Sequence, residues 1–417
     1  MGQGYVGLPL AMAAVKAGHD VFGFEPDRNR CSWLKYGNSY IEDVPDSELR
    51  NALIGDRYTP TFDEDDLRGF DVAVITVPTP LKDRLPDLSY IEKAARMLSF
   101  CVDDGSLVIL ESTTHPGTTR DVLIPILEEA TGARAGVDFH VGFSPERIDP
   151  GNQKWSFDNT PKIVAGLTPD CLRRVADFYG AITQVIVPTA SLEEAELAKV
   201  FENTYRHVNI ALVNELQRLS HSLGIDVHNV LDLAATKPFG FTKFTPGPGV
   251  GGHCLPVDPV YLSHHVKTTL GQAFRLVELA QDINESQPAY VVRRLQDALN
   301  ERFGKALKGA SILALGQAYK ADTSDMRESP AVEVVELLWA KGAIVETVDP
   351  SWMPATPEGC YRVISPDGKD YSHLTEYDAV LLLTAHSDFD LMKVAESGAF
   401  VLDTRGVMPD APHIERL

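Results

Sequence analysis

Residues Ser191 to Ser222 constrain the fold most. Ser191-Leu-Glu-Glu194 has the serine-to-glutamate spacing of a capping box that opens a helix, the helical pattern runs on to Ser222, and Gly224 supplies a stop. A helix of ~30 residues is ~45 Å long, more than a single domain needs. Such an element is expected to act as a spine between domains and to provide a dimer contact.

On both sides of this spine, short β-rich runs alternate with helical stretches. Ahead of it the strand candidates are Asp20–Phe24, Val72–Val77, Leu107–Leu110, Val141–Phe143, Lys162–Ala165 and Val185–Val187. Behind it they are Ser311–Leu315, Ile344–Val348, Ala379–Leu383 and Phe400–Asp403. Alternation of this kind predicts parallel sheets covered by helices. Between the two blocks lie a Pro/Gly-rich loop, Lys237 to Pro259, and a helical stretch from Gly271 to Phe303 interrupted at Pro288. The expected fold is α/β: two Rossmann-like parallel-sheet domains joined by a long central helix and a helical middle domain. The expected boundaries are 1–190, 191–303 and 304–417.

Length and charge narrow the function classes. The chain has 417 residues, 44% of them hydrophobic and 23% charged, which suits a folded protein of two or three domains. The net charge of −21 argues against bulk binding to nucleic acid or to an anionic membrane. It leaves room for a phosphate ligand, because backbone amides and a few local cations hold a phosphate inside an acidic protein. Cys31, Cys101, Cys171, Cys254 and Cys360 are odd in number and contain no CxxC pair, so a reducing cytoplasm is expected. No apolar run is long enough to span a bilayer, and no signal peptide is visible.

Gly2-Gln-Gly4-Tyr5-Val6-Gly7 is a GxGxxG turn leading into a helical stretch. Its glycines permit a tight turn and close approach of a pyrophosphate to the helix N-terminus. A strand ending at Glu25, about 20 residues on, places an acid where adenosine ribose hydroxyls would be bound, which favours NAD over NADP. Arg28 and Arg30 follow closely and would suit a 2′-phosphate; a Gly-rich turn without a ligand is the bland alternative. A turn of this type normally follows a central strand, and no residues for it precede Met1. The expectation is that the natural chain carries them, since the helix layers need that support.

Pro78-Thr79-Pro80 and Ser112-Thr113 follow strands and would lie at the carboxyl edge of the sheet, where ligands bind; simple turn chemistry explains the prolines equally well. The stretch Thr245-Pro-Gly-Pro-Gly-Val-Gly251-Gly252-His-Cys254-Leu-Pro-Val-Asp258 is the most informative. Clustered glycines expose amides that cradle phosphate or sugar, and a cysteine ending such a loop with an acid four residues on suits a nucleophile. The alternative is a buried small hydrophobe. His253, Cys254, Asp258, His264 and His265 are zinc-type ligands, but their spacing matches no compact zinc template, so no metal is expected. Lys199 and Asn203 share a helix face at i and i+4, where an ammonium and an amide stabilise a developing oxyanion. The alternative is a solvated face with Lys199 paired to Glu196 or Glu202.

Taken together, these motifs resemble the UDP-glucose/GDP-mannose dehydrogenase family over essentially the whole chain. The resemblance rests on Gly4-Tyr-Val-Gly-Leu-Pro-Leu10, Ser144-Pro-Glu-Arg147, Glu196-Leu-Ala-Lys199 with Asn203 and Asn214-Glu215, Gly251-Gly-His-Cys254 with Asp258, and Tyr319-Lys320 through Asp325-Met-Arg-Glu-Ser-Pro330. The loop wording is most similar to the bacterial branch acting on UDP-N-acetylhexosamines. The resemblance implies Cys254 as nucleophile, Lys199 and Asn203 at the oxyanion and substrate hydroxyl, Asp258 ordering water, and Thr113 and Glu146 at the hydroxyl and water. It implies cofactor contacts at Gly2, Gly4, Tyr5, Val6, Gly7, Glu25, Arg30, Pro78, Thr79, Ser112, Thr113 and Arg327. It implies substrate contacts at Glu146, Arg147, Lys199, Asn203, Gly251, Gly252, Tyr319, Lys320 and Arg405.

Two positions depart from the glucose-specific branch. Its second glutamate, four residues after Glu146, is Pro150 here, beside Asp149, and its lysine after Cys-x-Pro is Val257. Both bear on which sugar is bound. The implied activity is an NAD-dependent, four-electron oxidation of the C6 hydroxyl of a UDP- or TDP-hexose, by a cytoplasmic homodimer. The rivals are a two-electron β-hydroxyacid-type dehydrogenase, which needs no cysteine, and an inactive nucleotide-binding relative.

Overall fold

The computed structural model describes residues 1–148, 154–350 and 371–417. The chain divides into two compact units: Met1–Glu202 with Val260–Gln272, and Asn203–Pro259 with Ala273–Leu417.

The first unit is built on a five-stranded sheet in the order Val72–Ile75, Leu107–Leu110, His140–Phe143, Lys162–Gly166, Ile186–Pro188. Leu107–Leu110 is buried on both faces, as expected of a strand covered by helices on each side. Ile75, Leu110, Phe139, Val141 and Phe143 form the heart of this core. A second, two-stranded parallel sheet pairs Val21–Phe24 with Tyr58–Thr61; the sequence reading did not single out the latter strand. Met1 and Gly2 lie between the two sheets. The Gly2 amide donates to Phe24 O at 2.8 Å, and the Thr76 amide donates to Met1 O at 2.9 Å. These two residues therefore stand where the central strand of such a sheet runs.

All pairings in the five-stranded sheet are parallel but one. His140–Phe143 and Lys162–Gly166 run antiparallel, with Gly142 opposite Gly166 and Phe143 opposite Ala165. Alternation of strands and helices cannot reveal this, because strand direction depends on how the connecting chain returns to the sheet.

The second unit has five parallel strands in the order Ile344–Val348, Ser311–Leu315, Ala379–Leu382, Val401–Asp403, Ile414–Arg416. The strand order reverses beside Ser311–Leu315, which makes the carboxyl ends of Ser311–Leu315 and Ala379–Leu382 the edge where a ligand crevice opens in such sheets. Its core is aliphatic, with Leu295, Leu299, Ile312, Val335, Leu338 and Leu381 fully buried.

Leu192–Ser222 forms one 31-residue helix, as expected. The Ser191 hydroxyl accepts from the Glu194 amide at 3.0 Å, but the Glu194 carboxylate turns to Thr189 rather than closing the reciprocal capping box. The Gly271–Phe303 stretch is two helices, Arg275–Glu285 and Gln287–Phe303, with Pro288 in the first turn of the second. An unanticipated helix, Asp258–Leu270, begins at the end of the Cys254 loop. Among the described residues no helix is long and apolar enough to cross a membrane.

Candidate active site

In the first unit the GxGxxG turn is closed by contact rather than by sequence pattern alone. Gly2 has φ +89°, and a Cβ on Gly7 would lie 1.8 Å from Gly2 O. No atom lies within 4 Å of the position a Gly4 Cβ would take. Two glycines are thus demanded by the turn itself, and Gly4 opens backbone to an approaching group ahead of helix Gly7–Lys16. That fits the pyrophosphate of a dinucleotide at a helix N-terminus. Tyr5 and Val6 complete the turn and are half-buried.

Glu25 is buried and braces this turn: its carboxylate accepts from the Gln3 amide and from the Asp27 amide, each at 3.1 Å. Arg30 is exposed and lies over the Tyr40 ring at 5.5 Å, while Arg28 lies over Phe62 at 4.7 Å. The Ser112 hydroxyl donates to Val77 O at 2.7 Å, joining the two loops at the carboxyl edge of the sheet. The Tyr261 hydroxyl donates to Pro80 O at 3.0 Å, which anchors the Pro78-Thr79-Pro80 segment. Thr113 is half-buried in the same loop as Ser112.

Glu146 follows strand His140–Phe143 and is mostly buried. Its Oε1 accepts from the Arg147 and Ile148 amides, each at 2.6 Å, and its Oε2 meets Lys162 Nζ at 3.2 Å. Burial would raise its pKa, but Lys162 and these hydrogen bonds, with a smaller pull from Lys199, hold it below the ordinary carboxylate value. Arg147 is committed to Glu202, at 2.6 Å, and to Pro161 O, at 2.9 Å. Glu196 accepts from the Gly117 amide and from Thr119, and burial pushes its pKa up to about 7 against those bonds. The expected alternatives for Lys199 are therefore both engaged elsewhere: Glu196 with the 117–119 turn and Glu202 with Arg147.

In the second unit the glycine loop packs on the segment that follows Ser311–Leu315. A Cβ on Gly251 would lie 2.6 Å from Tyr319 Cβ, and one on Gly252, which has φ +82°, would lie 2.9 Å from the Tyr319 ring. The Gly252 amide donates to Arg327 O at 3.0 Å. Arg405 reaches the same edge, hydrogen-bonded to Leu383 O, and burial pulls its guanidinium down to about 10. A Cβ on Gly247 would meet Arg405 Nη1 at 3.2 Å. Lys320 is half-buried beside Tyr319. The unit thus brings Gly251, Gly252, Tyr319, Lys320, Arg327 and Arg405 to one edge of its sheet.

Cys254 is half-exposed, whereas Cys31, Cys101 and Cys171 are buried. The His253 Nε2 is 3.4 Å from Cys254 Sγ, and Arg327 Nη2 is 3.2 Å from His253 Nδ1. Asp325 grips Arg327 through its Nε at 2.8 Å and its Nη2 at 2.6 Å. The Asp258 amide donates to Cys254 O at 2.8 Å, and Asn203 Nδ2 donates to Asp258 Oδ2 at 2.5 Å. The contacts of His253 with Cys254 and Arg327 were not foreseen, since an adjacent histidine read only as an awkward metal ligand. Also missed were Glu111, Lys162 and Tyr179, whose positions relative to Glu146 no local motif signals. Among the described residues no group of three His, Cys, Asp or Glu side chains is gathered for a metal; His265 instead stacks on His115 at 4.5 Å. Asp149, Pro150 and Cys360 lie outside the described residues.

Residues 1–183 match the NAD binding domain of the UDP-glucose/GDP-mannose dehydrogenase family, residues 193–286 its central domain and residues 313–410 its UDP binding domain. The chain belongs to the UDP-glucose/GDP-mannose dehydrogenase family. Within it, the chain is 35% identical to the UDP-N-acetyl-D-mannosamine dehydrogenase of Pyrococcus horikoshii, over 99% of this chain and 96% of that protein. It is 36% identical to the UDP-N-acetyl-D-glucosamine 6-dehydrogenase of Pseudomonas aeruginosa, over 94% and 91%. The solved structure of the P. horikoshii UDP-D-ManNAc dehydrogenase superposes with a TM-score of 0.89 at 33% identity, covering 100% of this chain and 97% of that one.

Proposed function

We propose that this chain is an NAD-dependent nucleotide-sugar 6-dehydrogenase that oxidises the C6 hydroxyl of a UDP-N-acetylhexosamine to the carboxylate through Cys254. The observation that carries this reading is the half-exposed Cys254 thiol, ending a glycine loop packed on Tyr319 and Arg327, in a chain that matches N-acetylhexosamine dehydrogenases over nearly its full length. TDP-hexoses and UDP-glucose remain in the substrate class to be tested. We read the segments 1–190, 191–303 and 304–417 as the cofactor, central and nucleotide-sugar parts.

The Gly2–Gly7 turn with Glu25, Arg30, Pro78, Thr79, Ser112, Thr113 and Arg327 would hold NAD⁺, two molecules of which, bound in turn, would each accept one hydride. Thr113, Glu146 and Asp258 hold the water that takes the C6 hydroxyl proton. The Cys254 thiolate adds to the aldehyde carbon, and Lys199 and Asn203 stabilise the oxygen of the resulting thiohemiacetal. Loss of the second hydride leaves a thioester on Cys254. The water ordered by Asp258 then adds to it, releasing the carboxylate and restoring the thiol. Tyr319, Lys320, Arg405 and the Gly251–Gly252 amides grip the nucleotide-sugar, with Arg147 bracing Glu146.

The test is NADH yield with a panel of UDP- and TDP-sugars, for wild type and Cys254→Ser. Two NADH per sugar, stalled in the variant, is expected. One NADH per sugar, unaffected by the substitution, would sink the cysteine route in favour of a two-electron dehydrogenase. Binding of a nucleotide-sugar without NADH would favour an inactive relative.

The homodimer is proposed on an exposed stripe of the long helix. Tyr205, Leu212 and Leu219 recur every seven residues and are all exposed, presenting one apolar face. Leu212→Glu should give a smaller species in analytical ultracentrifugation; a wild type that sediments as a monomer would remove this assignment.

A further inference from the structure

The antiparallel strand has a chemical consequence. Because Gly142 stands opposite Gly166 and Phe143 opposite Ala165, continuing the register sets Ser144 against Val164 and Glu146 against Lys162. The Ser144 hydroxyl donates to Ile163 O at 2.8 Å, so the strands stay together up to this point. A parallel strand would have put Lys162 at the opposite edge of the sheet. Glu111, directly after Leu107–Leu110, arrives at the same carboxyl edge.

The three side chains meet out of water. Lys162 Nζ contacts both Glu111 and Glu146, and the Lys162 and Glu111 side chains are 5% and 0% exposed. Tyr179 donates to Glu111 Oε2 at 2.7 Å, and Lys162 Nζ lies over the Tyr179 and Phe157 rings at 4.9 and 5.3 Å. Two buried carboxylates beside one ammonium cannot both ionise cheaply. Burial, with Glu146 adding to it and Lys162 opposing, pushes the Glu111 pKa up, while Lys162 chiefly holds that of Glu146 down. The two carboxyl groups thus share one ammonium. The asymmetry has a geometric source: Glu146 Oε1 accepts two backbone amides, whereas Glu111 has the Tyr179 hydroxyl.

We propose that Lys162 and Glu111 are positioning residues for Glu146: Lys162 neutralises it, and Glu111, held beside it by Lys162 and the Tyr179 hydroxyl, donates a hydrogen bond to it, so that Glu146 stands at the sheet edge as a fixed anion. This rests on the dehydrogenase reading above, in which Glu146 holds the water that accepts the hydroxyl proton. An anion fixed in this way serves as the base for that proton without waiting for a neighbour to reorganise. Among the described residues, the titratable groups facing Glu146 include Lys162, Glu111, Tyr179 and, through space, Lys199.

The test is the pH profile of kcat/KM for NADH formation with the best UDP-sugar, whose acid limb reports the base in the free enzyme. Lys162→Met should move that limb up by roughly one pH unit or more, because an adjacent cation lowers a carboxyl pKa by about that much. KM for the sugar should change less than kcat, and Lys162→Arg should restore most of the profile. Glu111→Gln, which still donates a hydrogen bond, should stay near wild type, whereas Glu111→Leu should shift the limb upward. If Lys162→Met and Glu111→Leu are folded by circular dichroism yet keep the wild-type limb, the proposal is overturned while the dehydrogenase reading stands. If instead Lys162→Met does not fold, the Glu111 pair decides by the same criterion. A wild type that forms no NADH from any nucleotide-sugar would overturn both.

Discussion

Asn203 Nδ2 donates to Asp258 Oδ2 at 2.5 Å, and both side chains are buried. The long helix therefore reaches the residue that closes the Cys254 loop: Asp258 receives the amide of one element while its own backbone amide is tied to Cys254 O. Substituting Asn203 by Leu leaves the Asp258 carboxylate buried without this donor, a loss of about 1–3 kcal/mol. Urea unfolding should show that loss. kcat for NADH formation should fall by on the order of 100-fold, the usual consequence of removing one oxyanion donor. Near-wild-type turnover in Asn203→Leu would remove Asn203 from the reacting centre.

The His253 ring lies against the Cys254 thiol. Arg327, gripped by Asp325, is a donor only, so the His253 Nδ1 facing it is an acceptor, and the ring proton of the neutral imidazole sits on Nε2 beside Cys254 Sγ. Such a donor favours the thiolate. His253→Leu should raise the pH midpoint of iodoacetamide inactivation by roughly one unit, and His253→Gln, whose amide donates from a similar position, should recover part of it. Cys254→Ser identifies the alkylated thiol. An unchanged midpoint in His253→Leu would show that the contact has no electrostatic effect on the thiol.

Gly7 tests the cofactor turn. A methyl there would lie 1.8 Å from Gly2 O and 2.6 Å from Thr76 Oγ1, so the turn must open to admit it. Gly7→Ala is expected to lose NAD binding in calorimetry by at least roughly tenfold, about 1.4 kcal/mol, while Gly4→Ala, with no protein atom near its Cβ, should fold normally. Retained NAD affinity in Gly7→Ala would place the cofactor elsewhere.

His207 makes a pH-dependent contribution to stability. Its ring is fully buried, and burial alone lowers its pKa to about 4. Because the unfolded chain binds the proton near 6.5 and the folded one near 4, the protein loses stability as pH falls between those values. The loss amounts to about 3 kcal/mol across the window. Glu196, with a pKa raised to about 7, acts in the opposite sense over much of the same range. Comparing wild type with His207→Gln isolates the histidine: the difference in unfolding free energy should change steeply from pH 6.5 to 4. A constant difference would mean that His207 titrates normally in the folded protein.

Local patterns made much of this molecule legible. Leu107–Leu110, Ser311–Leu315 and Ile344–Val348 are strands with the ends their apolar runs suggest, and the long helix starts and stops at its capping and glycine signals. The GxGxxG turn and the Cys254 loop announce themselves because backbone geometry demands glycine at neighbouring positions. Strand Tyr58–Thr61 gave little signal, since its four residues alternate weakly and include Pro60. Helix Asp258–Leu270 was hidden by the Pro/Gly-rich stretch that leads into it.

Sequence by itself determined most element types and the glycine turns, because these depend on short spacings along the chain, and the family resemblance singled out Cys254, Lys199, Asn203 and Asp258 as candidates. Only the tertiary structure decided which side chains meet. Lys162 faces Glu146 because one strand of the first sheet runs against its neighbour, and Glu111 joins them because two parallel strands end at the same edge. Strand direction and register arise from pairing between distant segments, which leaves no period in either segment alone.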